Sequence, residues 1–132
     1  MLWWFRRIDG RVFAYYLMHD YAFTAQDGGA YPPALEARIA VFADRVAEVL
    51  AGDWDEVLVV GHSSGAYLGV SVLAELVRSG RVPAQGPRLS FLSLGHVVPM
   101  ASFLPRANRL RADLRFLSAR PELEWVDVTA PG

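Results

Sequence analysis

Apolar residues follow two different periods along the chain. Continuous apolar runs rich in β-branched and aromatic residues predict buried strands. The predicted strands are Val12–Met18, Glu56–Val60, Leu89–Leu94 and Glu124–Val128. Between them, apolar residues recur every three or four positions, which predicts helices. The predicted helices run from Pro33 to Gly52, from Gly65 to Arg78 and from Pro105 to Ala119.

The helix that begins at Pro33 has a regular apolar stripe and marked ends. Proline suits a first helical turn, where its missing N–H is not needed. The stripe consists of Leu35, Ile39, Phe42, Val46 and Val49. Gly52 follows the last of these residues, and we expect it to close the helix as a left-handed cap.

The order of strands and helices predicts the fold class. Alternating strands and helices are typical of an α/β domain, with a mostly parallel sheet of about four strands flanked by helices. The whole chain, residues 1–132, fits one such domain. Because Glu56–Val60 is continuously apolar, we expect it to be a central strand covered on both faces.

Composition narrows the choice of function. Hydrophobic residues make up 53 % of the chain, which argues against intrinsic disorder. The net charge of −1 offers no attraction for nucleic acid. The absence of cysteine fits a reducing, cytoplasmic compartment and excludes a thiolate nucleophile. Met1–Phe5 is too short an apolar run to be a signal or a membrane span. Its tryptophans could contact a membrane interface or pack on the domain.

The segment Gly61-His62-Ser63-Ser64-Gly65 lies between a predicted strand and a predicted helix. This is the context of a nucleophile elbow, a turn so tight that residues two before and two after the serine are expected to need glycine. The turn would carry the Ser63 hydroxyl past the sheet. The N–H of Ser64 and the positive end of the helix would stabilise an oxyanion there. A phosphate-binding loop is disfavoured, because the Gly-Lys-Ser/Thr and Gly-x-Gly-x-x-Gly patterns are absent.

Residues 57–76, with Gly-His-Ser-Ser-Gly at their centre, resemble the nucleophile-elbow region of the α/β-hydrolases, in particular lipases, esterases and thioesterases. The resemblance implies that Ser63 is the nucleophile and that Ser64 supplies an oxyanion N–H. It also implies that the four predicted strands correspond to the family's fourth to seventh, and that Gly61 and Gly65 are the elbow glycines. Neither a cofactor nor a metal is implied.

The chain departs from the family pattern in its catalytic partners. The family's triad has the order serine, acid, histidine, but His96 is the last histidine here. The acidic residues beyond it therefore have no downstream base, and they are Asp113, Glu122, Glu124 and Asp127. No early strand and loop provide the second oxyanion N–H. We therefore expect the middle part of a larger hydrolase, with Asp127 as the candidate acid among the residues present.

Several other polar residues have both a functional and a structural interpretation. His96 follows the strand next to the elbow strand, so it is either an unusual base or a loop residue that lines the pocket. We expect His62 to pack on the sheet or orient the turn, and His19-Asp20 to form a structural pair. Four arginines form a basic group that is either an anionic-surface site or the solvated face of a helix whose leucines pack inward. They are Arg106, Arg109, Arg111 and Arg115.

The resemblance implies a serine hydrolase that cleaves a small-molecule ester or thioester through an acyl-enzyme on Ser63. An acyltransferase with the same elbow is one alternative. A hydrolase-like fragment that only binds, or that lacks independent activity, is another. We expect no nucleic-acid partner, while membrane contact stays open. Unpaired sheet edges predict self-association of the chain.

Overall fold

The structure is a computed structural model, and it describes residues 25–95 and 98–129. Within those residues, three strands form one parallel sheet in the order β1-β2-β3. They are β1 (Glu56–His62), β2 (Arg88–Leu94) and β3 (Leu123–Val128). The predicted α/β class with a parallel sheet is therefore confirmed. The predicted strand Val12–Met18 lies outside the described residues.

Four helices accompany the sheet in the described part of the chain. They are α1 (Pro33–Leu50), α2 (Ser64–Arg78), α3 (Val98–Ser102) and α4 (Asn108–Leu117), and a short 3₁₀ turn, Gln26–Gly29, precedes them. The single helix predicted over Pro105–Ala119 is therefore wrong at its start. Pro105 lies in the turn between α3 and α4, because a proline disfavours helical angles at the residue before it.

The predicted apolar stripe of α1 is confirmed for Leu35, Ile39 and Val46, which face the core, but not for Phe42 and Val49. Ile39, Ala43 and Leu50 are buried, whereas Phe42 is 58 % exposed and Val49 is 38 % exposed. Each helical residue turns the side-chain direction by about 100°, so a stripe displaced by one residue points elsewhere. A small alanine therefore occupies the position that the pattern assigned to phenylalanine.

The glycines after the two long helices have different roles. Gly80 follows α2 with φ 69°, which is the left-handed conformation that commonly ends a helix. Gly52 is not in the left-handed region, so the predicted cap is wrong, and α1 ends at Ala51 in a right-handed conformation. At Gly52 a Cβ would lie 2.4 Å from Nε1 of Trp54. Because Trp54 is 62 % exposed, its ring can move aside, so this contact does not by itself require glycine.

Helix α2 covers one face of the sheet, and the buried core lies between them. Phe91 and Leu89 of β2 are 1 % and 3 % exposed on this side. On the opposite face no described element covers the strands, so β1 is not the doubly covered strand that its apolar sequence predicted. The side chains exposed there by about half are Leu58, Val60, Val126 and Val128.

The strand register brings the ends of all three described strands to one edge. Gly61 pairs with Ser93, and Ser93 pairs with Asp127, in one row across the sheet. In the next row, which is the last of the sheet, His62 of β1 pairs with Leu94 of β2. Ser63 follows at once, so it stands at the carboxyl edge, where open α/β sheets bind ligands.

Candidate active site

The backbone at Ser63 differs from the strand before it and from the helix after it. Its φ is 57° and its ψ is −123°, and among the described residues Asp27 is the one other non-glycine with a positive φ. Such angles cost on the order of 1–3 kcal/mol, so the surroundings must hold them. The Ser63 N–H donates to the Leu94 carbonyl at 3.0 Å, and the Ala66 N–H donates to the Ser63 carbonyl at 3.1 Å. These bonds fix the sharp bend between β1 and α2 with Ser63 at its apex.

The two glycines of the segment are not equivalent. A Cβ at Gly61 would lie 2.7 Å from the Ala66 Cα and 2.7 Å from the Gly65 carbonyl oxygen. Both are backbone atoms that cannot rotate away, so this position requires glycine. A Cβ at Gly65 would meet no atom within 4 Å among those that the structure describes. The expectation that both glycines avoid a collision is therefore correct for Gly61 and wrong for Gly65, which borders open space.

Small residues let α2 approach the sheet. A Cβ at Gly69 would lie 2.9 Å from the Phe91 ring, so the ring packs directly on the helix backbone. Ser71 is two residues further, about 200° around the helix, and faces the other way. Its Oγ is 2.8 Å from the Tyr31 hydroxyl. Burial raises the pKa of Tyr31 far above its ordinary value, so that hydroxyl stays protonated.

The start of α2 leaves both polar groups of the bend available for chemistry. Ser63 occupies the N-cap position, but its side chain makes no capping hydrogen bond to α2. Ser64 is the first helical residue, and the N–H groups of a first turn have no partner within their helix. Both serines are half-buried. The Ser63 hydroxyl and the Ser64 N–H thus lie at the same sheet edge, at the positive end of α2.

Asp127, the candidate acid, is part of a cross-strand hydrogen-bond cluster. The fully buried Ser93 hydroxyl donates to Asp127 Oδ1 at 2.5 Å and accepts from Trp125 Nε1 at 2.9 Å. The Trp125 ring also packs against Phe91, with ring centroids 5.3 Å apart. Sequence reasoning missed Ser93, although a serine within an apolar strand is the signal that could have found it. The cluster holds the Asp127 carboxylate at the row of Gly61, one step before the edge.

Of the three histidines, His62 is the one that the described residues include. His62 is exposed, and its position in β1 places it on the face opposite α2. Its Nε2 would lie 3.9 Å from a Cβ at Gly95, so the ring packs near the end of β2 rather than in the bend. The expectation that it packs on the sheet agrees with this position. His96, His19 and Asp20 lie outside the described residues.

Two of the other acidic candidates, Asp113 and Glu122, make contacts away from the bend, and the third, Glu124, is exposed in β3 at the row of Ser90. Asp113 is fully buried and pairs with Arg78 at 3.0 Å and with Arg109 at 3.3 Å. Burial opposes the charge of Arg109, but Asp113 and two glutamates outweigh it, so the pKa of Arg109 is raised. A hydrogen bond from Arg120 lowers the pKa of Glu122.

The basic group divides into separate roles. Arg109 belongs to the buried ion-pair cluster of Asp113, and Arg111 binds backbone carbonyls around residue 103. Arg106 packs its side chain on Gly28, and Arg115 is exposed. The leucines of α4 face the core as predicted, and they are Leu110, Leu114 and Leu117. The four arginines therefore do not form one patch, which favours the interpretation as a helix face.

No family model matches the chain, and no curated protein or solved structure matches it either. In the described residues, no group of three or more acidic, histidine or cysteine side chains could hold a metal ion. No helix among residues 25–95 and 98–129 has both the length and the apolar character to cross a membrane. The geometry around Ser63 is therefore the basis for assigning a function.

Proposed function

We propose that the chain is a serine hydrolase of the α/β-hydrolase type that cleaves an ester or thioester through an acyl-enzyme on Ser63. The observation that carries the proposal is the strained, positive-φ backbone of Ser63 at a strand-to-helix bend. Strain of this kind persists where surrounding structure maintains it, and it is concentrated at functional sites. The required glycine at position 61 and the close approach of α2 at Gly69 maintain it here.

The reaction follows from the groups at the bend. The Ser63 Oγ bonds to the acyl carbon as its proton passes to a base, and negative charge collects on the carbonyl oxygen. The N–H of Ser64 and the positive end of α2 stabilise that oxygen. The bond to the leaving group then breaks, and the leaving group takes the proton. Water attacks the acyl-enzyme, releases the acid and restores the Ser63 hydroxyl.

The base in this proposal is a histidine, because a serine hydroxyl is a poor nucleophile until its proton is removed. Within this chain the candidate is His96, since His62 lies on the opposite sheet face. Asp127 is the candidate acid that would orient the base. Ser93 supports this assignment, because its hydroxyl, oriented by the hydrogen bond from Trp125 Nε1, donates to Asp127 Oδ1 and restricts the rotation of that side chain.

The test is labelling of the full chain with a fluorophosphonate probe, which reacts with activated serines. We expect labelling of the wild type, complete loss in Ser63→Ala and retention in Ser64→Ala. The adjacent serine is the matched control, because its proposed role uses the backbone N–H, which alanine keeps. Absence of labelling in the folded wild-type chain contradicts the proposal. Loss in both variants would contradict the roles given to the two serines.

One observation favours a second candidate, a hydrolase-like domain without independent activity. Within the described residues, no histidine lies on the same sheet face as the bend, because His62 is on the other face. A domain of this kind binds an acyl compound at the bend without turning it over. It would leave the probe unreacted at Ser63 in the same experiment, so the labelling distinguishes the two candidates.

A further inference from the structure

The sheet face opposite α2 carries a continuous apolar surface. Successive strand residues point to opposite faces, so the register assigns each side chain to one face. One full row of this face is aliphatic and consists of Val60, Leu92 and Val126, and the row beyond it includes Leu94 and Val128. These five side chains and Leu58 form what we call the open-face patch. Its members on β1 and β3 are about half exposed, and they are Leu58, Val60, Val126 and Val128.

The physics of parallel sheets requires an element that covers this patch. Parallel sheets occur almost only where both faces are covered. Right-handed crossovers from β1 to β2 and from β2 to β3 run in the same direction, so they place α2 and α4 on the same side. Helix α1 packs on α2 and lies on that side as well. The open-face patch therefore needs a covering element beyond the described part of the chain.

The open face is apolar toward the carboxyl edge of the sheet and polar toward the amino edge. Glu124 and Ser90 share the row that precedes the aliphatic row. Glu56 lies one row pair further toward the amino edge, and its carboxylate accepts a hydrogen bond from the Ser90 hydroxyl at 2.6 Å. A segment that enters over the carboxyl edge therefore meets the aliphatic side chains first.

Residues 1–24 join the described domain at this same edge. Helix α4 runs back to the start of β3 at the amino edge, so the turn before α4 lies at the carboxyl edge. The Gly28 carbonyl accepts a hydrogen bond from the Arg106 N–H of that turn at 2.8 Å. A Cβ at Gly29 would lie 2.7 Å from the Leu104 Cβ, so the backbones are in close contact. The chain thus enters the domain at the end of the sheet where the open face is apolar.

The composition and length of residues 1–24 suit them to cover the patch. Half of the chain's aromatic residues lie in this segment, and half of its length consists of the apolar runs Met1–Phe5 and Val12–Met18. Fully extended, 24 residues span up to about 80 Å. Three strands make a face only about 10 Å wide between the outer strand axes. The segment can therefore pass around the carboxyl edge and still lie along the strands.

We propose that residues 1–24 pack on the open face and bury the open-face patch under their aromatic and aliphatic side chains. The exposed area favours this tethered segment over a second copy of the chain. A stable interface between separate proteins buries about 800 Å² per partner, far more than four half-exposed aliphatic side chains offer. A segment of the same chain needs less area, since its effective concentration at the face is on the order of millimolar. The inference does not depend on the chemistry at Ser63.

The experiment uses the absence of cysteine from the chain, because a single introduced cysteine then reports the exposure of one position. We compare the rates at which a maleimide labels Val126→Cys and Val41→Cys in the full chain. Val41 on α1 is the matched control, since the two native side chains are 51 % and 59 % exposed. We expect Val126→Cys to react at least about tenfold more slowly, because labelling requires the segment to open locally. In urea the two rates become equal.

A photo-crosslinker identifies what covers the patch. The full chain with benzoylphenylalanine in place of Val126 is irradiated, and the crosslinked peptides are mapped by mass spectrometry. Slow labelling together with crosslinks to residues 1–24 of the same chain supports the proposal. Labelling of Val126→Cys as fast as that of Val41→Cys overturns it, and so does the absence of crosslinks to residues 1–24. Crosslinks between two chains, with protection that is lost on dilution, overturn it and assign the face to a second copy.

Discussion

Replacing each glycine of the bend by alanine tests whether the two positions differ as the structure indicates. In Gly61→Ala the new Cβ would lie 2.7 Å from two backbone atoms, the Ala66 Cα and the Gly65 carbonyl oxygen. In Gly65→Ala the new Cβ enters open space. Residue 65 has an ordinary helical position in α2, so alanine is compatible with its backbone.

The size of each effect follows from these distances. Ordinary contact begins near 3.4 Å, so the Gly61→Ala backbone must open by about 0.7 Å at the bend. Overpacking of this kind costs about 2 kcal/mol, since no flexible side chain can move aside. For a domain of this length that lowers Tm by about 8 °C. Gly65→Ala restricts the unfolded chain and favours the helix, which stabilises by about 0.5 kcal/mol and raises Tm by about 2 °C.

The assay is thermal unfolding of the full chain, followed by circular dichroism, together with the rate of fluorophosphonate labelling. A displacement near 1 Å at a reacting group lowers rates by about 100-fold, so we expect that loss of labelling rate in Gly61→Ala. Gly65→Ala keeps a Tm at or above the wild type. If Gly65→Ala lowers Tm as much as Gly61→Ala, the open space beside position 65 does not exist and the reasoning fails.

Two further predictions concern charges away from the bend. Asp113→Asn removes the carboxylate that pairs with Arg78 and Arg109, and we expect the free energy of unfolding in urea to fall by about 2 kcal/mol. In the control Asp44→Asn, at an exposed ion pair, it falls by less than about 1 kcal/mol. Equal losses would contradict a structural role for the buried acid. The folded-state pKa of Glu122 is lowered by Arg120, so its contribution is present above the usual value of 4.5 and is lost as pH falls through the lower folded-state pKa. Glu122→Gln should therefore narrow the difference in stability between pH 7 and pH 3, and an unchanged difference would show that the pair contributes nothing.

Sequence reasoning located the bend because its determinants are adjacent residues. A strand, a glycine, two serines and the start of a helix together specify one local geometry, and Ser63 occupies its apex. The positions of the three described strands were also predicted to within two residues, since β-branched runs and their flanking breakers act locally. The same reasoning gave the wrong cap at Gly52, because α1 ends at Ala51 in a right-handed conformation and Gly52 is not in the left-handed region.

Contacts between distant residues needed the tertiary structure. Ser93 meets Asp127 across 34 residues of sequence, and Arg78 meets Asp113 across 35. Each of these side chains would be ordinary in a solvated loop, and only the register of the strands or the packing of α4 on α2 brings it to its partner. No local pattern carries that information, because side-chain pairing depends on which elements become neighbours.

The amino-acid order alone therefore establishes where the chain turns, where it is extended or helical, and which serine stands at the tightest bend. These properties depend on backbone sterics and hydrophobic period over a few neighbouring residues. Folding decides which face of each element is buried, as the exposed Phe42 and the half-exposed Val60 show. It also decides that Gly61, unlike Gly65, has no room for a side chain, because that room depends on how closely α2 packs on β1 and β2.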